Sequence, residues 1–186
     1  MTGGFKLGGV DASTYGITLL KDPDAPMIPG TRDRTAKVLG HAGEIYIDSV
    51  QESRVFSLDC MFKGCTSPAD LDSKIRTFAA ALVDIDGRPK EMSLIFDETP
   101  TLTYTVKYAG NIPFARAWAG CSKFTLSLVA YDPYAYEAEE TTTATVTTSP
   151  STIPVTSTSV VKTPAKICIE NTGATPVNGF TLKIYY

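Results

Sequence analysis

The stretch Arg54-Val-Phe-Ser-Leu-Asp-Cys-Met-Phe-Lys63 determines the fold class of this chain of 186 residues. Side chains along a β-strand point alternately to the two faces of a sheet. In this stretch every second position is apolar and the positions between them are mostly polar, which is typical of an antiparallel strand with one buried face. The buried row comprises Phe56, Leu58, Cys60 and Phe62.

The residues that follow this strand predict one α-helix, over 68–83. Ser67 is a suitable N-cap, and Pro68 fits the first helical position, where no amide donor is needed. Gly87 and Pro89 then end the helix. Its apolar residues recur on one face and need an apolar partner, for which a sheet face is the available candidate: Leu71, Ile75, Phe78 and Leu82.

Further alternating runs extend the pattern to a mainly β fold. With the helix, they predict an antiparallel β-sandwich domain over residues 1–138. Residues 110–120 contain Pro113, Phe114 and Trp118 and are interpreted as either a loop or an irregular strand. The further predicted strands are Thr14 to Leu20, Glu91 to Phe96, Leu102 to Tyr108 and Ser122 to Tyr131.

A long segment, residues 21–44, interrupts the strand pattern and is rich in proline and glycine. Loops of this length are uncommon inside a compact domain and tend to carry function. The segment combines charged residues with Val38 and Leu39, so we predict that part of it forms an extended hairpin arm. Its charged residues include Arg32, Asp33, Arg34 and Lys37.

The composition changes after Ala138. Residues 139–163 are mostly Thr, Ser, Val and Pro, which predicts a linker or an irregular extended strand. Residues 164–186 are interpreted as the first strands of a partial second β domain, with strands at Lys166 to Glu170 and Gly179 to Tyr186. Because a two-stranded hairpin is marginal alone, either the chain is a truncated piece or these strands complete a neighbouring sheet.

Composition argues against several classes of partner. A net charge of −3 gives no electrostatic reason for tight binding to nucleic acid or to an anionic membrane. The N-terminus has no apolar leader, and the longest apolar run, Phe78 to Val83, is too short to span a bilayer. We therefore expect a protein that folds in a cytoplasm. Its cysteines fit no disulfide or zinc spacing and are interpreted as reduced, partly buried hydrophobes: Cys60, Cys65, Cys121 and Cys168.

No constellation of residues indicates catalysis, a cofactor or a metal. A catalytic triad would have to use His41, the only histidine, and the chain has no Gly-x-Ser-x-Gly motif. The carboxylate pairs Asp97-Glu98 and Glu139-Glu140 are interpreted as solvated charges. The turn Asp84-Ile-Asp86-Gly87 departs from a calcium loop at Pro89. We predict that the protein is not an enzyme and has no catalytic, cofactor-binding or metal residues.

Three tyrosines end the last strand of the predicted domain: Tyr131, Tyr134 and Tyr136. They indicate either the edge of a domain, with rings packed inward and hydroxyls in water, or a contact with another subunit.

The run from Phe124 to Tyr136 resembles the close of the N-terminal domain of siphophage distal tail proteins, the Dit family. In that family a strand ends in Asp-Pro-Tyr-x-Tyr, and Asp132, Pro133, Tyr134 and Tyr136 occupy those places here. The resemblance covers roughly Phe5 to Tyr136. Upstream it includes Gly16-Ile17, a basic loop, the Arg54 to Cys60 strand, the helix ending in Ala81-Leu82, and Asp97 to Tyr104.

The resemblance implies a structural protein of the phage tail tip or baseplate. It implies a hexameric ring of this chain that contacts the tail tube protein on one side and a tail-associated hub or lysin protein on the other. DNA would pass only in transit through the lumen. Family members carry a galectin-like second domain that can hold receptor-binding proteins, and residues 171–184 look like its first strands. The location implied is the virion, assembled in the bacterial cytoplasm.

From the arm and the tyrosines we predict a set of inter-subunit contact residues. Three other functions stay open: a tail tube protein, a carbohydrate-binding module using Trp118, and, as the least favoured, an enzyme. The predicted contact residues are Arg32, Arg34, Lys37, Val38, Leu39, Tyr131, Tyr134 and Tyr136.

Overall fold

The computed structural model describes residues 3–24, 26, 28–40, 42–118, 121–156, 159 and 165–184, with the backbone alone for 114–118. It divides into two units, Met1–Glu139 and Glu140–Tyr186. The strands are β1 (Phe5–Leu7), β2 (Val10–Asp11), β3 (Ile17–Leu19), β4 (Thr31–Ala36), β5 (Ile45–Gln51), β6 (Arg54–Phe62), β7 (Met92–Phe96), β8 (Tyr104–Tyr108), β9 (Phe114–Trp118) and β10 (Cys121–Ala130), and the helices are a 3₁₀-helix (Ala12–Tyr15) and α1 (Pro68–Leu82).

Eight strands of the first unit form one antiparallel sheet. Seven of them follow the order β2-β1-β7-β8-β10-β6-β3, and the eighth, β9, pairs with β10 along the edge that also pairs with β8. The sheet is strongly curled. Phe56 on β6 and Phe96 on β7 have ring centroids 5.9 Å apart, although strands three places apart in a flat sheet lie about 14 Å from each other. The mainly β fold with one helix is therefore confirmed, and the core lies inside the curl of a single continuous sheet.

The longest ladder pairs β6 with β10, from Phe62↔Ser122 to Arg54↔Ala130. Buried residues face each other along it, since Phe56 lies opposite Leu128 and Leu58 opposite Leu126, and all four are nearly inaccessible to solvent. The alternation in the sequence therefore predicts which side chains build the core.

Helix α1 packs its apolar stripe on this ladder. Ser67 accepts a hydrogen bond from the Asp70 amide at 3.2 Å, as expected of an N-cap. The ring of Phe78 lies 6.1 Å from that of Phe62 and 6.0 Å from that of Phe124. The helix is confirmed, and it ends at Leu82, one residue before the predicted end.

The turn after the helix is held by its own aspartate. Asp84 Oδ1 accepts hydrogen bonds from the amides of Asp86, at 2.9 Å, and Arg88, at 2.8 Å. Gly87 has a positive φ of 75°, which the turn requires. This acidic stretch is therefore an Asx-type turn, as predicted.

The first predicted strand, Thr14 to Leu20, is too long. The Asp11 carboxylate accepts a hydrogen bond from the Ser13 amide at 2.8 Å and caps a 3₁₀-helix. Gly16, at φ 72°, then reverses the chain, so only Ile17–Leu19 is extended. The short strands β1 and β2 were not predicted, and residues 114–118 form a strand and not a loop.

The second unit has no regular strand or helix among its described residues. The strands predicted from Lys166 and from Gly179 do not form within residues 165–184. Two short strands bury too little apolar surface to be stable alone, and Ile167, Ile169 and Phe180 are exposed here. That these residues begin a second β domain stays a prediction.

The cysteines are free thiols. Cys60 lies in the core, where burial raises the pKa of its thiol to about 12, so it behaves as a small apolar side chain. Cys65 and Cys121 are half-buried, but Cys168 is exposed, contrary to the prediction of partial burial. Within the described part of the chain no helix is long and apolar enough to cross a membrane.

We predict that Phe56→Ala lowers the free energy of unfolding by about 3–5 kcal/mol, because it leaves a cavity between Phe96 and Tyr104. The matched control is Val55→Ala, which truncates the exposed neighbour on the same strand and should change stability by less than about 1 kcal/mol. Chemical denaturation measures both. Equal losses in the two variants would contradict the core described here.

Candidate assembly surface

An exposed hairpin of β4 and β5 projects from the first unit as a separate two-stranded sheet. Its register runs from Thr31↔Gln51 to Ala36↔Ile45, with an irregularity after Arg34. We call residues 31–51 the arm. The predicted arm segment, 21–44, contained only the first strand, because it ended one residue before the second strand begins at Ile45.

Polar side chains tie the two strands of the arm together without a core. Ser49 Oγ donates a hydrogen bond to Asp33 Oδ1 at 2.7 Å, and Thr35 Oγ1 donates one to Glu44 Oε2 at 2.6 Å. Lys37 Nζ lies 3.1 Å from Glu44 Oε1. Thr35 and then Lys37 hold the pKa of the Glu44 carboxyl below its ordinary value.

The arm also carries a concentration of exposed apolar side chains. Leu39, near its tip, is fully exposed at 104%. Two-stranded ribbons are marginal in water, and clustered exposed apolar residues mark interaction sites. We define the apolar arm residues as Val38, Leu39, Ile45, Tyr46, Ile47 and Val50.

Five of the eight predicted contact residues lie on this arm. Arg32 and Arg34 are in β4, opposite Val50 and Asp48, and the other three, Lys37, Val38 and Leu39, follow the end of that strand. Directly opposed residues of an antiparallel pair share a face, so Arg32 and Arg34 lie on the face of Val50. Sequence reasoning missed the apolar residues of β5. The β-prone run Ile45-Tyr-Ile, which begins two residues after Gly43, was the signal that could have found them.

The root of the arm is fixed to the curled sheet on both sides of its entering chain. Asp24 and Ser57 exchange backbone hydrogen bonds at 3.1 and 3.0 Å, and the hairpin itself begins where the amide of Glu52 donates to the carbonyl of Gly30 at 2.7 Å. Arg54, the first residue of β6, donates from Nη2 to the carbonyl of Pro26 at 2.6 Å.

An ion pair holds the chain just before the arm. Lys21 Nζ lies 3.0 Å from Asp59 Oδ2, and Thr125 Oγ1 donates a hydrogen bond to Asp59 Oδ1 at 2.8 Å. These contacts, that of Lys21 first, hold the pKa of the Asp59 carboxyl below its ordinary value. They join the outer faces of β6 and β10 to the segment that leads to the arm.

The tyrosine cluster lies at the same end of the β6–β10 ladder as the arm root, because Tyr131 follows Ala130, the residue opposite Arg54. Tyr136 is largely structural. Its backbone pairs with Thr103 through two hydrogen bonds of 2.8 Å, and its hydroxyl donates to Asp132 Oδ2 at 2.6 Å.

The Asp132 carboxylate also raises the pKa of Tyr136, since it bonds the neutral phenol. The other carboxylate oxygen, Asp132 Oδ1, accepts a hydrogen bond from the Tyr134 amide at 3.2 Å. The Asp-Pro-Tyr-x-Tyr sequence therefore forms a turn that is held by hydrogen bonds between its own residues. Tyr131 is the cluster's most open ring, at 70% exposure, and so the one best placed for a partner.

The described residues hold no group of three or more His, Cys, Asp or Glu side chains able to bind a metal. His41 and the side chain of Trp118 lie outside the described part of the chain. Asp97 belongs to one of the two carboxylate pairs that were predicted to be solvated. It accepts a hydrogen bond from the Gly4 amide at 2.9 Å and so caps the start of the domain.

Residues 10–130 match the family model described as the phage tail protein RIFT-related domain. The fold is similar to the crystal structure of SPP1 Dit, described as a paradigm of the hub adsorption apparatus in phages that infect Gram-positive bacteria. That similarity has a TM-score of 0.62 at 18% identity and covers 74% of this chain and 53% of that one, so the chain spans about half of its length. No protein with a curated description matches this chain.

We predict that Tyr136→Phe destabilises the first unit by about 0.5–1 kcal/mol, because it removes the hydroxyl bonded to Asp132 at a site that solvent reaches. The control is Tyr131→Phe, which also removes a tyrosine hydroxyl, but one that makes no hydrogen bond in the described structure. It should leave the free energy of unfolding unchanged.

The effect of Tyr136→Phe should also depend on pH. The folded protein raises the pKa of this phenol, so its contribution is present below the ordinary pKa of tyrosine, near 10, and is lost as pH rises through the folded value. Thermal unfolding of wild type and both variants at pH 7 and above pH 10 tests this. A difference that stays constant with pH would contradict it.

Proposed function

The chain belongs to the family of phage tail proteins with a RIFT-related domain, and on that premise we propose that it forms a ring, six copies around, at the distal tip of a siphophage tail. Its work is structural: the ring joins the tail tube to the hub that carries the adsorption apparatus. The observation that carries this proposal is the arm, a ribbon with no core of its own that exposes six apolar side chains.

A ring of identical subunits requires a heterologous contact, in which one surface of each copy meets a different surface of the next. The arm provides such a surface because it extends away from the sheet of its own subunit. The eight steps from Thr31 to Leu39 reach at most about 26 Å at roughly 3.3 Å per residue. That reach is close to twice the radius of gyration of a domain of this size, about 14 Å, so the tip extends over much of the adjacent copy.

The apolar arm residues supply the free energy for this contact. Burying one Leu, Ile or Val side chain contributes about 1.5–3 kcal/mol. Burial of most of the six would contribute on the order of 10 kcal/mol, which is comparable with the entropic cost of association. Arg32 and Arg34 add charged groups that select the register of the contact.

The proposed partners are copies of this chain, the tail tube protein, and the hub or lysin protein of the tail tip. Residues 164–186, as the start of a second β domain, would lead toward receptor-binding proteins. DNA would pass through the lumen without tight binding, which a net charge of −3 supports. The protein would be part of the virion, assembled in the bacterial cytoplasm.

A tail tube protein is the second candidate, because the family description covers phage tail proteins generally. Electron microscopy of the purified chain separates the two candidates. We expect isolated rings, whereas long tubes would favour the tube protein.

We predict that deletion of Thr31–Leu39, or the single change Leu39→Asp, leaves the curled sheet folded and reduces the ring to smaller species. The reason is that the deletion removes the arm's first strand, and the aspartate places a charge where an apolar side chain should be buried. Light scattering measures the mass, and far-UV circular dichroism checks the fold.

The matched control is Ile85→Asp, because Ile85 is as exposed as Leu39, at 101%, but lies on the turn after α1. It should leave the ring intact. An unchanged ring in both arm variants would refute the arm as the contact.

A further inference from the structure

Arg54 occupies a position where the strand pattern calls for an apolar residue. It begins β6 and shares the inward face with Phe56 and Leu58, which are 1% and 0% exposed. Its neighbour across the ladder is Ala130, which is also fully buried. A half-buried charged side chain therefore ends a row whose other members are buried, at the place where the arm joins the sheet.

The guanidinium group lies against a pair of adjacent aromatic rings, those of Phe56 and Tyr104, whose centroids are 4.9 Å apart. Its Cζ lies 5.4 Å from the ring centroid of Phe56 and 5.1 Å from that of Tyr104. Arginine stacks on such rings through its planar, delocalised charge. Nη1 lies 3.4 Å from the Tyr104 hydroxyl, and the buried Nε has no hydrogen-bond partner among the described residues. The two rings therefore set the plane of the guanidinium group more than its hydrogen bonds with side chains do.

With this plane fixed, one N–H donor of the guanidinium group points at the segment that leads into the arm. Nη2 donates to the carbonyl of Pro26 at 2.6 Å, a charge-assisted bond. Pro26 lies between the last pairing with the sheet, Asp24–Ser57, and the first pairing within the hairpin, Gly30–Glu52. In the described part of residues 26–29, this is the side-chain bond that ties the segment to the sheet.

From this geometry we propose that Arg54 is a positioning residue that clamps the root of the arm and so sets the direction in which the arm leaves the sheet. The tip is sensitive to this angle. A rotation of about 10° at the root moves the end of an arm about 26 Å long by roughly 4.5 Å, which is close to the spacing between neighbouring strands.

The consequence for assembly rests on the proposed ring. Heterologous contacts close into a ring only when the rotation from copy to copy is fixed, and otherwise they give open assemblies. An arm released at its root should still bind the next copy, but it should give a mixture of open and closed species.

The test uses the full chain with Arg54→Lys, which keeps the charge and most of the stem but loses the planar fork, and Arg54→Gln as a second variant. Hydrogen exchange read by mass spectrometry follows the amides of Asp24 and Ser57 at the root and those of β10 in the core. Arg76→Lys, the same change on an exposed face of α1, is the control.

Exchange at the root should become faster by roughly tenfold or more in both Arg54 variants, as expected when a hydrogen bond from a charged group is lost. Exchange in β10 and in the Arg76 variant should stay as in wild type. Unchanged exchange at the root would overturn the clamp. Loss of protection throughout β10 in both variants would also overturn it, because Arg54 would then be a general element of the core.

Electron microscopy of the same samples gives the second readout, a shift from closed rings to open species. A wild-type chain that forms no ring would count against the proposed function alone, since the exchange measurement does not depend on assembly.

Discussion

The long antiparallel ladder between β6 and β10 holds the core, the helix and the root of the arm in place. Its register places Phe56, Leu58 and their partners on one face, and a slip by one residue would turn that whole row toward solvent. The curl of the sheet closes around this row, and α1 covers it through Phe78. The same ladder ends at Arg54↔Ala130, so it also determines where the arm begins and where Tyr131 leaves the sheet.

Stability and assembly are therefore divided between two parts of the same unit. The curled sheet and its helix bury their apolar residues internally, whereas the arm holds its two strands by polar bonds such as Ser49–Asp33 and leaves its apolar residues in solvent. A domain that needed those residues for its own folding would bury them. Their exposure makes the arm available to a partner, and the contacts of Arg54 and of Lys21 with Asp59 connect the two parts.

Much of the fold could be predicted from the sequence because its main elements carry their own periodicity. The helix after Ser67 and the strands now called β6, β7, β8 and β10 repeat apolar residues at the spacing of one buried face. Strand β1, with three residues, and strand β2, with two, are too short to show a period. The strand Ile45–Gln51 was missed because the predicted arm ended at Glu44, before the β-prone run that forms the second half of the hairpin.

Sequence patterns alone predicted the mainly β class, the single α-helix, and, through the Asp132-Pro-Tyr-Ala-Tyr136 ending, the phage tail family that residues 10–130 match. These follow from local sequence patterns, which do not depend on the residues that pack against them in the fold. Tertiary contacts alone establish the extent of the arm, the bond that turns Tyr136 toward Asp132, and the placement of Arg54 against two adjacent rings. Each of those depends on residues far apart in the chain, and proximity of that kind is created by the curl of the sheet.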